Sequence, residues 1–142
     1  RNSIAADRVI ASHIPRSRSP RSCLKMIKVT IWRTGSGFTH AFHMTGHAGQ
    51  GEYGEDIVCA AASGLAQSII GSLQEIVGLE PTYTLKPGDI CCRIKEEELD
   101  QTGRIQADAL MRAVEIGARQ IQDSYGSQFL TVEVKLESGG LQ

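Results

Sequence analysis

Beyond its first 25 residues the sequence is short of basic residues. Residues 26–142 hold nine of the 15 Lys and Arg against 15 of the 16 acids, a net charge of −6. A surface that grips nucleic acid needs clustered Lys and Arg, so no direct nucleic-acid binding is expected. Long uninterrupted apolar runs are missing as well. A bilayer span needs roughly 18 to 20 such residues. The richest stretch, Ile57 to Val77, is broken by Ser63, Gly64, Gln67, Ser68, Gly71, Ser72, Gln74 and Glu75. It reads as a soluble helix, and no membrane partner is expected. Four cysteines are present, but no C-x-x-C pair and no secretory apolar segment. Cys91 and Cys92 are adjacent, Cys59 stands alone in an apolar helix, and Cys23 lies near the start. A disulfide framework is therefore excluded, and a reducing cytoplasm is the expected compartment. Internal repeats are absent, and so are linkers after residue 26. With 142 residues, 41% hydrophobic and 22% charged, the chain has the size and composition of one globular domain.

The first 25 residues differ from the rest. They have no starting Met and carry Arg1, Arg8, Arg16, Arg18, Arg21 and Lys25 against Asp7 alone, without sustained periodicity. The expectation is a vector-derived, upstream-translated or disordered basic tail. A basic targeting arm is the alternative, since transit peptides share this Arg/Ser-rich, acid-poor composition. Residues 26–137 form the expected domain, and 138–142 a flexible C-terminal tail.

Within the domain the periodicities are clear. "MIKVTIWR" alternates, with Ile27, Val29 and Ile31 on one face. "TGSG" is turn chemistry, and "FTHAFHMT" returns as the second strand of a hairpin, with Phe38, His40, Phe42 and Met44 sharing a face. A helix is expected from about Asp56 to Val77, with Val58, Ala62, Leu65, Ile69, Leu73 and Ile76 as its buried stripe. Asp56 would be its N-cap and Gly78 its stop. "TYTLKPGDICCRIK" predicts a second hairpin turning at Lys86–Asp89. A second helix is expected from about Ala107 to Tyr125, with Leu110, Met111, Val114, Ala118 and Ile121 inward. "FLTVEVKLE" closes the domain as a strand through Leu130, Val132, Val134 and Leu136. The order ββαββαβ predicts a two-layer α+β domain. Its five strands form a mixed or antiparallel sheet with two helices on one face.

The chemistry concentrates in "GHAGQGEYGEDIVCAAAS", Gly46 to Ser63, where His47 precedes Cys59 by twelve residues. If Asp56 caps the helix, Cys59 is its third residue, among N–H groups without intrahelical partners. The macrodipole there contributes about 0.3 to 2 kcal/mol, and one pKa unit is about 1.4 kcal/mol. A helix end thus takes a thiol of about 8.5 down by roughly one unit. At about pH 7 that raises the thiolate fraction from about 3% to about a quarter. An efficient nucleophile still benefits from a base, and His47 is the nearest candidate. Asp56, Cys59 and Ser63 fall on one helical face. Asp56 either orients His47 or only caps the helix, and Ser63 is a small neighbour of the thiol. Gly49, Gly51, Tyr53 and Gly54 make up an expected mobile flap over a peptide cleft.

This stretch closely resembles the signature of the bacterial ribosomal-processing cysteine proteases, G-H-A followed by a short loop and G-x-D-I-V-C-A. His47, Gly54, Asp56, Ile57, Val58, Cys59, Ala60 and Ser63 match it, including the His-to-Cys offset. The resemblance implies a cysteine endopeptidase that needs no cofactor. Its implied task is to remove a short N-terminal extension from a large-subunit ribosomal protein, cutting after an aromatic pair. It also implies a homodimer, with Cys59 as nucleophile and His47 as general base, and leaves the role of Asp56 open. Cys91–Cys92 is not part of the signature, and residues 1–25 have no counterpart in it.

Three other readings compete. His40, His43, His47 and Cys59 are ligand types that zinc accepts. However, His40 and His43 point to opposite faces of a strand, which leaves His43, His47 and Cys59 as a three-ligand set. Cys91 and Cys92 raise a redox role, although adjacent cysteines form at best a strained bridge. Last, the chain could be a non-enzymatic ribosome-associated assembly factor in which His47 and Cys59 are structural.

Overall fold

The computed structural model describes residues 26–47 and 53–137, with the backbone alone for 53–56. The alternating apolar positions of β1 (Ile27–Thr34) all turn inward: Ile27, Val29 and Ile31 are buried. Gly37, at φ +94°, closes the turn to β2 (Thr39–Thr45), and Thr34 N–H donates to the Phe38 carbonyl at 2.9 Å. The antiparallel register sets Val29 beside Met44 and Ile31 beside Phe42. One buried face therefore runs unbroken across both strands.

The second hairpin, β3 (Thr82–Lys86) and β4 (Asp89–Arg93), docks through β4 onto β2, with Phe42 opposite Cys92 and Met44 opposite Ile90. β5 (Leu130–Glu137) lies parallel to β1 on its other side, Val29 against Val132. The sheet order is β3-β4-β2-β1-β5. It is mixed, with one parallel pair, and helices α1 (Tyr53–Ser72) and α2 (Gln101–Tyr125) cover its apolar face. The fold is the two-layer α+β domain that the ββαββαβ order predicts.

Helix α1 buries Val58, Ala62, Ala66, Ile69 and Ile70, and Leu73 just beyond it is buried too. By length and composition alone Ile57–Val77 could cross a membrane. Here its apolar stripe is instead the lid of the domain core, which is why polar residues interrupt it on the outer side. Two features depart from the periodicity. The helix begins at Tyr53, three residues before Asp56, so Asp56 lies inside the first turn and is not the N-cap. Glu55 and Asp56 suit that turn, since acids complement the dipole there. At its other end the chain widens into a π-turn over Leu73–Val77 before Gly78, at φ +80°, ends it. In an α-helix each residue turns through about 100°; in an i→i+5 turn it turns through less. The fourth residue after Leu73, not the third, then returns to the buried face. Val77 packs against the core and Ile76 is 61% exposed, outside the stripe the sequence predicts for it.

Helix α2 starts at Gln101, six residues before the expected Ala107. Asp100 is its N-cap, its carboxylate accepting from Gly103 N–H at 2.7 Å. Gly103, Ala107, Met111, Val114 and Ala118 are buried at helical spacing, with Leu110 and Ile121 partly so. Leu136, expected to share the buried face of β5, is 79% exposed beyond the end of the core.

Candidate active site

β2 ends at Thr45, which pairs with Asp89, the first residue of β4. The β2 chain therefore emerges directly beside the Lys86–Asp89 turn. Gly46 N–H donates to the Gly88 carbonyl at 3.0 Å and extends this contact by one residue. Gly46 itself is at φ +99°, and a β-carbon on it would run into the Met26 carbonyl, 3.4 Å from the carbon and nearer still to the oxygen. A glycine is therefore required immediately before the histidine. The bend throws His47 out of the strand line and over the turn, where its ring lies against Gly88.

Helix α1 approaches the same end of the sheet. Cys59, Ser63 and Gln67, spaced four apart on one face, meet His47 and the Leu85–Ile90 segment around a cleft of about 450 Å³. Cys59 is partly buried and packs against the core, while Ala60 beside it is exposed. The structure thus brings His47, Cys59 and Ser63 together. Gly49 and Gly51 of the expected flap lie outside the described residues. Tyr53 and Gly54, expected in that flap, fall in the first turn of α1.

The early helix start changes the electrostatics expected of Cys59. It is the seventh helical residue rather than the third. The N–H groups without intrahelical partners lie in the turn before it, and the dipole's influence falls off within that first turn. The helix end therefore does less for this thiol than a first-turn position would, and the imidazole that shares its cleft is that of His47.

The remaining histidines and cysteines are elsewhere. His43 is on the opposite face of the sheet, with Nε2 2.7 Å from Asp89 Oδ1. His40 is buried at the far end of the strand, its Nε2 2.6 Å from Glu137 Oε1 and its Nδ1 3.3 Å from Arg93 Nη1. Both lie apart from Cys59, and no group of three His, Cys, Asp or Glu able to hold a metal occurs among the described residues. Cys91 faces outward and Cys92 inward, as strand alternation predicts, and neither is in a disulfide. Burial, followed by the neighbouring Cys91, pushes the Cys92 thiol up to about 12. It is the opposite of a reactive thiol. Gln67 and Gly88 are site residues that sequence reasoning missed, and Gly46, inside the signature, was given no role there. "KPGD" signals a turn glycine, but nothing in the chain order signals that this turn faces His47.

The family model of the cysteine protease Prp matches residues 26–129, and those residues contain both His47 and Cys59. The chain belongs to the Prp family of cysteine proteases. The ribosomal processing cysteine protease Prp of Bacillus subtilis is 29% identical over 101 residues, 70% of this chain and 90% of that protein. Among solved structures, SMU.848 from Streptococcus mutans superposes with a TM-score of 0.65 at 26% identity, covering 80% of this chain and 97% of its own. The essential ribosomal processing protease Prp from S. aureus, solved with a covalently linked product peptide, gives a TM-score of 0.61 at 27% identity. That match covers 78% of this chain and 100% of the S. aureus chain. As a Prp protein the chain is a cysteine-type peptidase, which decides against the non-enzymatic assembly factor.

Proposed function

We propose that this Prp protein removes a short N-terminal extension from a large-subunit ribosomal protein, with Cys59 as nucleophile and His47 as general base. The observation that carries the reading is that these two side chains, twelve residues apart in sequence, line one cleft of about 450 Å³. His47 takes the thiol proton and Cys59 attacks the scissile carbonyl. The carbonyl re-forms as the amine leaves with the proton that His47 returns, and water then hydrolyses the thioester. A relative solved with a covalently linked product peptide supports a covalent step of this kind. The apolar members of the cleft, Ile27, Met44, Leu85 and Ile90, suit an extension ending in aromatic side chains. A cytoplasmic homodimer, meeting its substrate during ribosome assembly, is the setting this reading implies.

The test is incubation with a synthetic peptide spanning the ribosomal protein's N-terminal extension, followed by mass spectrometry. A single cut after the aromatic pair, absent with Cys59→Ala, is the expected result. An intact peptide under conditions where a Prp relative cleaves it would refute the assignment.

A further inference from the structure

We propose that Gly88, in the turn between β3 and β4, is a positioning residue that sets where the His47 ring stands in the cleft it shares with Cys59. The inference rests on His47 acting as the base, and it assigns to the opposite hairpin a part in that action. Three observations converge on it. The His47 ring lies directly over the α-carbon of Gly88: a β-carbon there would come within 2.8 Å of Cε1 and 3.1 Å of Cδ2, and closer still to Nε2. The Gly88 carbonyl accepts from Gly46 N–H at 3.0 Å and so ties down the backbone one residue before the histidine. His47 and Gly88 also line the cleft that holds Cys59.

A bare α-carbon is the thinnest support a chain can offer. It lets the ring sink to the level of the turn, and one added methyl would lift or swing it by about an ångström, the shortfall from ordinary contact. Gly88 is at φ +77°, so the turn alone also favours glycine. The two roles separate in experiment, because the turn's demand concerns backbone strain and the positioning role concerns the ring.

Gly88→Ala and Gly88→Asn both add the β-carbon, and asparagine tolerates a left-handed backbone better than alanine does. With the variant still folded by circular dichroism, peptide cleavage should fall at least about a hundredfold in kcat, the scale of an ångström misplacement of a catalytic group. Iodoacetamide alkylation of Cys59 at neutral pH should fall to the rate of His47→Ala. Adding His47→Ala to the Gly88 variant should then change it no further. A folded Gly88 variant that cleaves within about threefold of wild type overturns the proposal. So does one whose Cys59 alkylation keeps its full dependence on His47. The wild-type protein gives a reading independent of any variant's folding: nuclear Overhauser contacts between the His47 ring protons and the Gly88 α-protons are expected, and their absence sinks the idea. Failure of wild type to cleave the peptide would instead overturn the assigned function, while the alkylation cycle and the ring contacts still judge Gly88.

Discussion

The carbonyl of Met26 stands where the side chain of residue 46 would have to begin, and only a glycine leaves room for both. Gly46 is at φ +99° as well, so two independent constraints meet at the residue before His47. Gly46→Ala must displace the entrance of β1 or straighten the bend that carries the histidine. Backbone strain of this kind costs about 1–3 kcal/mol. The expected outcome is that loss of stability in urea unfolding together with severely reduced peptide cleavage. A variant as active and stable as wild type would show that the bend is not needed.

If His47 and Cys59 act as one unit, removing either should cost nearly as much as removing both, as for coupled catalytic residues. Cys59→Ala should fold normally, because α1 carries alanines at 60, 61 and 62 and the position is only partly buried. His47→Ala should slow alkylation of Cys59 at neutral pH, because the base that takes the thiol proton is gone. Cys91→Ser, on the other face of the sheet, should keep most of the activity. Additive losses from His47→Ala and Cys59→Ala, with unchanged alkylation, would separate the two side chains functionally.

The layering of this domain was legible in its sequence because the period-2 faces of β1 and β2 and the 3.6-period stripe of α2 are local patterns. Val29, Phe42 and Met111 could be placed inward from their neighbours alone. That His47 and Cys59 share a cleft was legible for a similar reason, since a strand end and a helix start joined by a short loop can return to one edge of the sheet. Two other features depend on cooperation across the chain. Where α1 begins is not announced, because Gly51, Glu52 and Gly54 look like a loop while the acids that suit a first turn follow them. Starting the helix at Asp56 set Cys59 in the first turn, where the structure has it in the second, and overstated what the dipole does for it. The contact of Gly88 with His47 arises only when β4 pairs with β2, and no local pattern encodes it.

The π-turn at the end of α1 gives a further test. Ile76 is largely exposed, and Val77 is the residue that packs inward. Ile76→Lys should therefore alter stability by no more than about 0.5 kcal/mol, the range of ordinary surface changes. Val77→Asp, which sets a carboxylate against the core, should cost about 1–3 kcal/mol or more. Chemical denaturation of the two variants reads this directly. A reversed order, with Ile76 the costly position, would mean that the helix continues with α geometry.

Cys92 makes the pH dependence of the fold predictable in sign. Its thiol is 1% exposed between Phe42 and Tyr83 in the sheet, and burial with Cys91 beside it raises the thiol from 9.0 to about 12. Below about pH 9 both folded and unfolded chains keep the proton, and the group contributes no pH dependence. Between about 9 and 12 the unfolded chain loses the proton while the folded chain holds it. The unfolded state is then the one that gains, so stability falls as pH rises, by up to about 1.4 kcal/mol per pH unit across that window. Cys92→Ala removes this contribution at the expense of a small cavity, so it should be less stable than wild type near neutrality yet lose less on going to pH 10.5. Urea midpoints at two pH values for the two proteins measure the difference without reference to the other groups that titrate there. Equal losses in both would show that the Cys92 thiol ionises as easily in the sheet as in the unfolded chain.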